Sequence, residues 1–171
     1  MLPTLLAALA LASAPKYDVF LGMPEKTAQA VRGMVQTMKT DGADWTPEVE
    51  TTASVGPDTL VMWSWPLRGN HGIGLQIYGP DGKFKTRLDD SNIPSARAAV
   101  CGGRYVVGGG NTLRVWDARQ DYRLIFRKTF PNLSPFARLS CPGGTLLIEE
   151  QEGTRRQTRL RLMVPTLTPA R

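Results

Sequence analysis

From Glu48 to the C terminus, apolar and polar residues alternate in short runs broken by Gly, Pro and Asn, a pattern that predicts antiparallel strands. One phrase recurs three times: an apolar strand, a Gly- or Pro-containing turn and a second apolar strand. It reads Ala53-Ser-Val55-Gly-Pro-Asp-Thr-Leu60-Val-Met62, then Ala99-Val-Cys101-Gly-Gly-Arg-Tyr105-Val-Val107, then Leu139-Ser-Cys141-Pro-Gly-Gly-Thr-Leu146-Leu-Ile148. Corresponding positions lie roughly 40 to 45 residues apart, the spacing of arrays built from four-stranded units.

Each phrase leads into further strands. Leu60 to Trp65 is expected to stop at Pro66. Ile73, Leu75 and Ile77 alternate with Gly74, Gln76 and Tyr78, ahead of the turn Gly79-Pro-Asp-Gly82. Phe84, Thr86 and Leu88 then alternate with Lys83, Lys85 and Arg87. In the second unit, Leu113-Arg-Val-Trp-Asp117 is followed by Tyr122, Leu124 and Phe126 against Arg123, Ile125 and Arg127. The third places a polar turn at Glu150 to Thr154. A strand with Leu160, Leu162 and Val164 on one face follows, ended by Pro165 and Pro169.

Upstream the period changes to that of a helix. Ala28, Val31, Met34, Val35 and Met38 form one stripe, with Lys26, Gln29, Arg32, Gln36 and Lys39 mostly opposite. Pro24 and Glu25 suit its start, and Gly42 lies just past its end. Tyr17 to Leu21 reads as a short strand. Leu2 to Ala14 is almost wholly apolar, and Ala10-Leu-Ala12 suits cleavage of an export signal after Ala12. The alternative is a buried N-terminal helix, since no Lys or Arg precedes the run. It is shorter than the ~20 residues a membrane span needs. The chain divides into a signal at 1–12, a strand-plus-helix segment at 13–47 and a β-repeat region at 48–171.

The stretches Leu75-Gln-Ile-Tyr-Gly-Pro-Asp-Gly-Lys-Phe84 and Leu113-Arg-Val-Trp-Asp117 resemble the outer strands of β-propeller blades. Trp116-Asp117 is similar to the dipeptide of WD-type blades. The resemblance implies a mainly β fold of about three antiparallel blade-like units with one N-terminal amphipathic helix. Closed propellers usually have four to eight blades, so the units read as a partial propeller or a β-meander or sandwich.

Composition adds a charge asymmetry. Residues 13–92 carry 8 basic and 10 acidic side chains (−2), and residues 93–171 carry 13 and 5 (+8), which sum to the net +6. Arg155, Arg156, Arg159 and Arg161 form its densest strip, a polyanion-binding candidate or a charged edge kept soluble. The two cysteines, Cys101 and Cys141, occupy equivalent places in successive phrases and suit a disulfide in an oxidising compartment.

Candidate chemistry is sparse. One His and two distant Cys do not make up a structural zinc site, and Asp41-Gly-Ala-Asp44 lacks calcium-loop spacing, so no cofactor is expected. His71 is a lone loop histidine; Asp89-Asp90 and Glu149-Glu150 read as solvated turns. Trp63 and Trp65 share one strand face, either as a stacking platform or as core. The expectation is an exported, periplasmic or secreted, non-catalytic binding or scaffolding protein of the cell envelope. An electrostatic binder of nucleic acid or acidic polysaccharide is the alternative, and a hydrolase without recognisable motif comes third. Partners are an envelope component, a polyanion or a second copy.

Overall fold

Gly and Pro interrupt the period-two runs every few residues, and the chain folds back on itself at each interruption. The computed structural model describes residues 20, 22–40, 48–67, 70–88, 97–134, 137–152 and 155–170, with the side chains of 38–40, 65–67 and 70–73 outside that description. The proposed signal, Gly42, Trp45, the side chain of His71 and Asp89-Asp90 lie outside the described residues. Of the expected strand Tyr17 to Leu21, only Phe20 is described, and it lies in a turn closed by the Met23 N–H on its carbonyl at 3.0 Å.

One helix and three four-stranded antiparallel sheets result, each sheet a meander in sequence order. The helix α1 spans Glu25–Thr40. Sheet I contains β1 (Glu48–Val55), β2 (Asp58–Leu67), β3 (Asn70–Tyr78) and β4 (Phe84–Arg87). Sheet II contains β5 (Arg97–Cys101), β6 (Tyr105–Gly109), β7 (Thr112–Asp117) and β8 (Arg123–Thr129). Sheet III contains β9 (Arg138–Ser140), β10 (Thr145–Glu152), β11 (Arg155–Met163) and β12 (Thr168–Pro169). The three phrases are therefore the first hairpins of the three sheets.

The layers stack as α1, I, II, III. Val31 packs with Val61, Trp63 and Tyr78 on one face of sheet I. The opposite face presents Leu60, Met62, Leu75 and Ile77 to Val106 and Trp116 of sheet II. Val107, Leu113 and Val115 then turn to Leu139, Leu146, Ile148 and Leu162 of sheet III. Adjacent residues Val106 and Val107 thus serve different interfaces. A strand buried on both faces reads as an uninterrupted apolar run, which is why Tyr105 to Val107 does not alternate.

Three boundaries differ from expectation. β2 runs through Pro66, which pairs with His71 of β3; among the described residues the β1 ladder ends at the Glu48–Ser64 pair, so the missing proline N–H costs no described ladder bond. The last turn is shorter than Glu150 to Thr154, since β10 continues to Glu152 and β11 resumes at Arg155. Val164 leaves the strand, and after Pro165 the chain turns back so that Thr168 and Pro169 pair with Met163 and Leu162. Fully buried Leu167 anchors that return.

The Gly79–Gly82 turn docks the helix. Thr27 Oγ1 donates to the Gly79 carbonyl at 3.0 Å, and a Cβ on Gly82 would lie 2.5 Å from the Lys26 carbonyl oxygen at a φ of +81°. Backbone cannot yield there as a side chain can. Gly82→Ala is expected to cost about 2 kcal/mol, within the usual range for overpacking, and to lift α1 from sheet I. Hydrogen exchange should show α1 amides losing protection while sheet III keeps its own; uniform loss would contradict this.

Candidate binding site

A cavity of about 520 Å³ opens in the seam between sheets II and III, lined by the segment after β8 and by β10 and β11. Phe130, Leu133 and Leu160 supply its apolar surface, and Asn132, Glu150 and Arg159 its polar wall. Phe130 follows β8 directly, and its N–H donates to the Asn111 carbonyl at 2.8 Å, which sets where the strand ends and the 131–134 loop begins. Lys128 Nζ sits 5.3 Å from the Phe130 ring centre and donates to the Leu167 carbonyl at 3.2 Å.

Glu150 organises the wall. One carboxylate oxygen accepts the Ser134 N–H at 2.7 Å, pinning the loop to β10, and the other receives Arg159 Nε at 3.2 Å. Arg159 also reaches Glu152 Oε2 at 3.2 Å. Glu149 and Glu150, expected in a solvated turn, instead lie within β10, where alternation turns Glu150 toward the seam. The site therefore offers an apolar floor beside a fixed ion pair, a combination suited to an anchor residue with a polar flank.

The four strip arginines do not form one surface. A register shift between Ile148 and Glu149 sets Arg161 opposite Leu147 but Arg155 opposite Glu152. Arg156 and Arg161 consequently share the outer face of sheet III, whereas Arg155 and Arg159 lie on the seam side with Glu150 and Glu152. Trp63 is 3 % exposed beneath α1, where it packs against Val31 and Tyr78; the side chain of Trp65 lies outside the described residues. Cys101 and Cys141 form a disulfide, with Cα atoms 5.2 Å apart.

Two buried acids went unnoticed in the sequence. Asp58 receives both Lys85 Nζ, at 2.8 Å, and Tyr122 Oη, at 2.7 Å, which joins sheet I to the end of sheet II's last turn. Burial first, then the hydrogen bond to Asp58 and the Asp58 charge, push the Tyr122 hydroxyl well above its ordinary pKa. Asp117 is held by Arg104 Nε at 2.8 Å, the Arg119 N–H at 3.0 Å and Gln120 Nε2 at 3.1 Å. The Arg104 hydrogen bond, followed by the Arg119 N–H, holds its pKa at about 2. Both acids are neutralised locally and serve cohesion. Their one sequence signal was an acidic residue closing an apolar strand or turn, as in Trp116-Asp117.

Among the described residues, no three His, Cys, Asp or Glu side chains group to hold a metal ion, and no helix is long and apolar enough to cross a membrane. Compared with known proteins, the chain matches no family model, no curated protein and no solved structure.

Proposed function

We propose that this protein is an exported, non-catalytic binding module of the cell envelope, with its three sheets acting as blade-like units of a partial propeller. The seam cavity carries the reading: its Phe130, Leu133 and Leu160 surface, bordered by the Glu150–Arg159 pair, fits an apolar anchor on a partner protein. The disulfide suits an oxidising compartment. The apolar run from Leu2 to Ala14, with Ala10-Leu-Ala12 at its end, suits passage there. The propeller reading is supported by the neighbouring positions of the first strands, β5 lying beside both β1 and β9.

Filling the seam tests it. Asn132 is exposed in the loop, so Asn132→Trp fills the cavity without entering the core. Wild-type protein in envelope extract is expected to retain a defined partner in about 0.5 M salt, where exposed charge contacts are largely screened. Asn132→Trp, with an unchanged melting transition, should weaken that partner at least tenfold. Retention of the same partner by the variant would overturn the seam assignment, and a mature N terminus still beginning at Met1 would overturn export.

A further inference from the structure

We propose a second site, separate from the seam: a small oxyanion of phosphate or carboxylate type binds between Arg97 and Arg138. A cavity of about 300 Å³ opens where the first strands of the sheets come together, lined by Thr51, Met62, Arg97, Ala98, Arg138 and Leu139. It has room for several waters, enough for a phosphate or a small polycarboxylate. Sheet I contributes Thr51 and Met62, sheet II Arg97 and Ala98, and sheet III Arg138 and Leu139.

The charges explain why the ligand is an anion. Arg97 opens β5 and Arg138 opens β9, so neighbouring strands bring two permanent cations to one cavity. No acidic side chain lines it among the described residues. Arg104 and Arg159 are engaged by carboxylates, yet among the described residues neither the Arg97 nor the Arg138 guanidinium has an ion-pair or hydrogen-bond partner. The nearest acid by register is Glu149, opposite Arg138 on β10, and it makes no ion pair with Arg138. Both arginines line this cavity, and a bound anion would balance their charge. Each guanidinium presents a planar fork matched to carboxylate and phosphate oxygens, Thr51 adds a hydroxyl, and Met62 and Leu139 keep part of the wall apolar.

The disulfide sets the spacing. Cys101 ends β5, and Cys141 directly follows β9, so the bond ties the same two strands at the ends opposite their arginines. At ~3.3 Å per residue, each arginine lies about 10–13 Å along its strand from the tied end. The bond thus fixes the two strands that carry the arginines.

Calorimetric titration with inorganic phosphate and, separately, with citrate tests the site at constant ionic strength. The expected result is saturable one-to-one binding of at least one of the two, and the stronger arm identifies phosphoryl or carboxylate chemistry. Arg97→Gln and Arg138→Gln should each weaken binding at least tenfold. Arg97→Lys and Arg138→Lys, which keep charge without the fork, should fall between. Arg155→Gln/Arg156→Gln should bind as wild type, and the Cys101→Ala/Cys141→Ala protein should bind several-fold more weakly. Unaltered melting transitions confirm folded variants, and should a Gln variant melt early, its Lys counterpart decides. Absence of saturable binding by either anion, or equal loss in the Arg155→Gln/Arg156→Gln control, would overturn the site. Heparin retention that depends on Arg155, Arg156 and Arg161 but not on Arg97 or Arg138 would reassign anion binding to β11 and overturn it too.

Discussion

Replacing Arg104 with Met is expected to lower the stability of the fold measurably, because the buried Asp117 carboxylate loses its charged partner while the guanidinium itself is partly solvated. The asymmetry of the pair decides which partner matters more. The Asp117 side chain is fully buried, whereas that of Arg104 is 32 % exposed. Arg104→Met strands an anion in the interior with only the Arg119 N–H and Gln120 amide for company, and also removes the guanidinium from the Tyr105 ring, 4.6 Å away. Asp117→Asn leaves a cation that can turn toward water, so its cost should be smaller. The Asp117 pKa of about 2 lies below its ordinary 3.8. A depressed carboxylate pKa gives stability that is fully present above the unfolded value and lost as the pH falls through the folded one. The gap between wild type and Arg104→Met should therefore hold steady near neutrality and narrow below about pH 4. Urea denaturation at several pH values measures it. Equal costs for the two variants, or a gap widening in acid, would mean that the pair is not the dominant contact.

The strand order was legible because turn chemistry and alternation agree along most of the chain. Gly79-Pro-Asp-Gly82 closes the hairpin it predicts, and Val31, Met34 and Val35 pack against sheet I as their spacing requires. What escaped depends on residues far apart in sequence. Asp58 is buried because Tyr122, 64 residues away, returns to it, and no local window contains that pairing. The arginines of β11 divide between two faces for a different reason. Strict alternation puts Arg155, Arg159 and Arg161 on one face, but one extra residue in the ladder at Ile148/Glu149 reverses the parity. The same shift frees Arg159 to hold Glu150 and so builds the seam wall. Arg97 and Arg138 were likewise invisible as a pair until β5 and β9 lay side by side. The binding surfaces are thus products of register and packing, whereas the sheets that carry them are products of pattern.

Loss of the Cys101–Cys141 bond is expected to cost about 4 kcal/mol, since it closes a loop of 40 residues in the unfolded chain. Domain stabilities are commonly ~5–15 kcal/mol, so this one bond is a large share of the total. Cys101→Ala/Cys141→Ala is the better variant, because Cys101 is 1 % exposed and a serine hydroxyl there would have to find a partner in an apolar cluster. The entropic origin predicts a signature beyond the lower denaturation midpoint. An uncrosslinked unfolded chain exposes more surface, so the urea m-value should rise. A lower midpoint with unchanged m would assign the loss to native packing of the sulfur atoms instead, and comparison with reduced wild type, which keeps both, separates the two. The damage should also be local. β9 is three residues long and among the described residues pairs only with β10, while the disulfide fixes its end to β5. Without the bond, hydrogen exchange at Leu139 should approach that of an open strand while β2 and β3 of sheet I remain protected. Protection lost equally in all three sheets would show that the bond supports the whole stack rather than the junction of its last two layers.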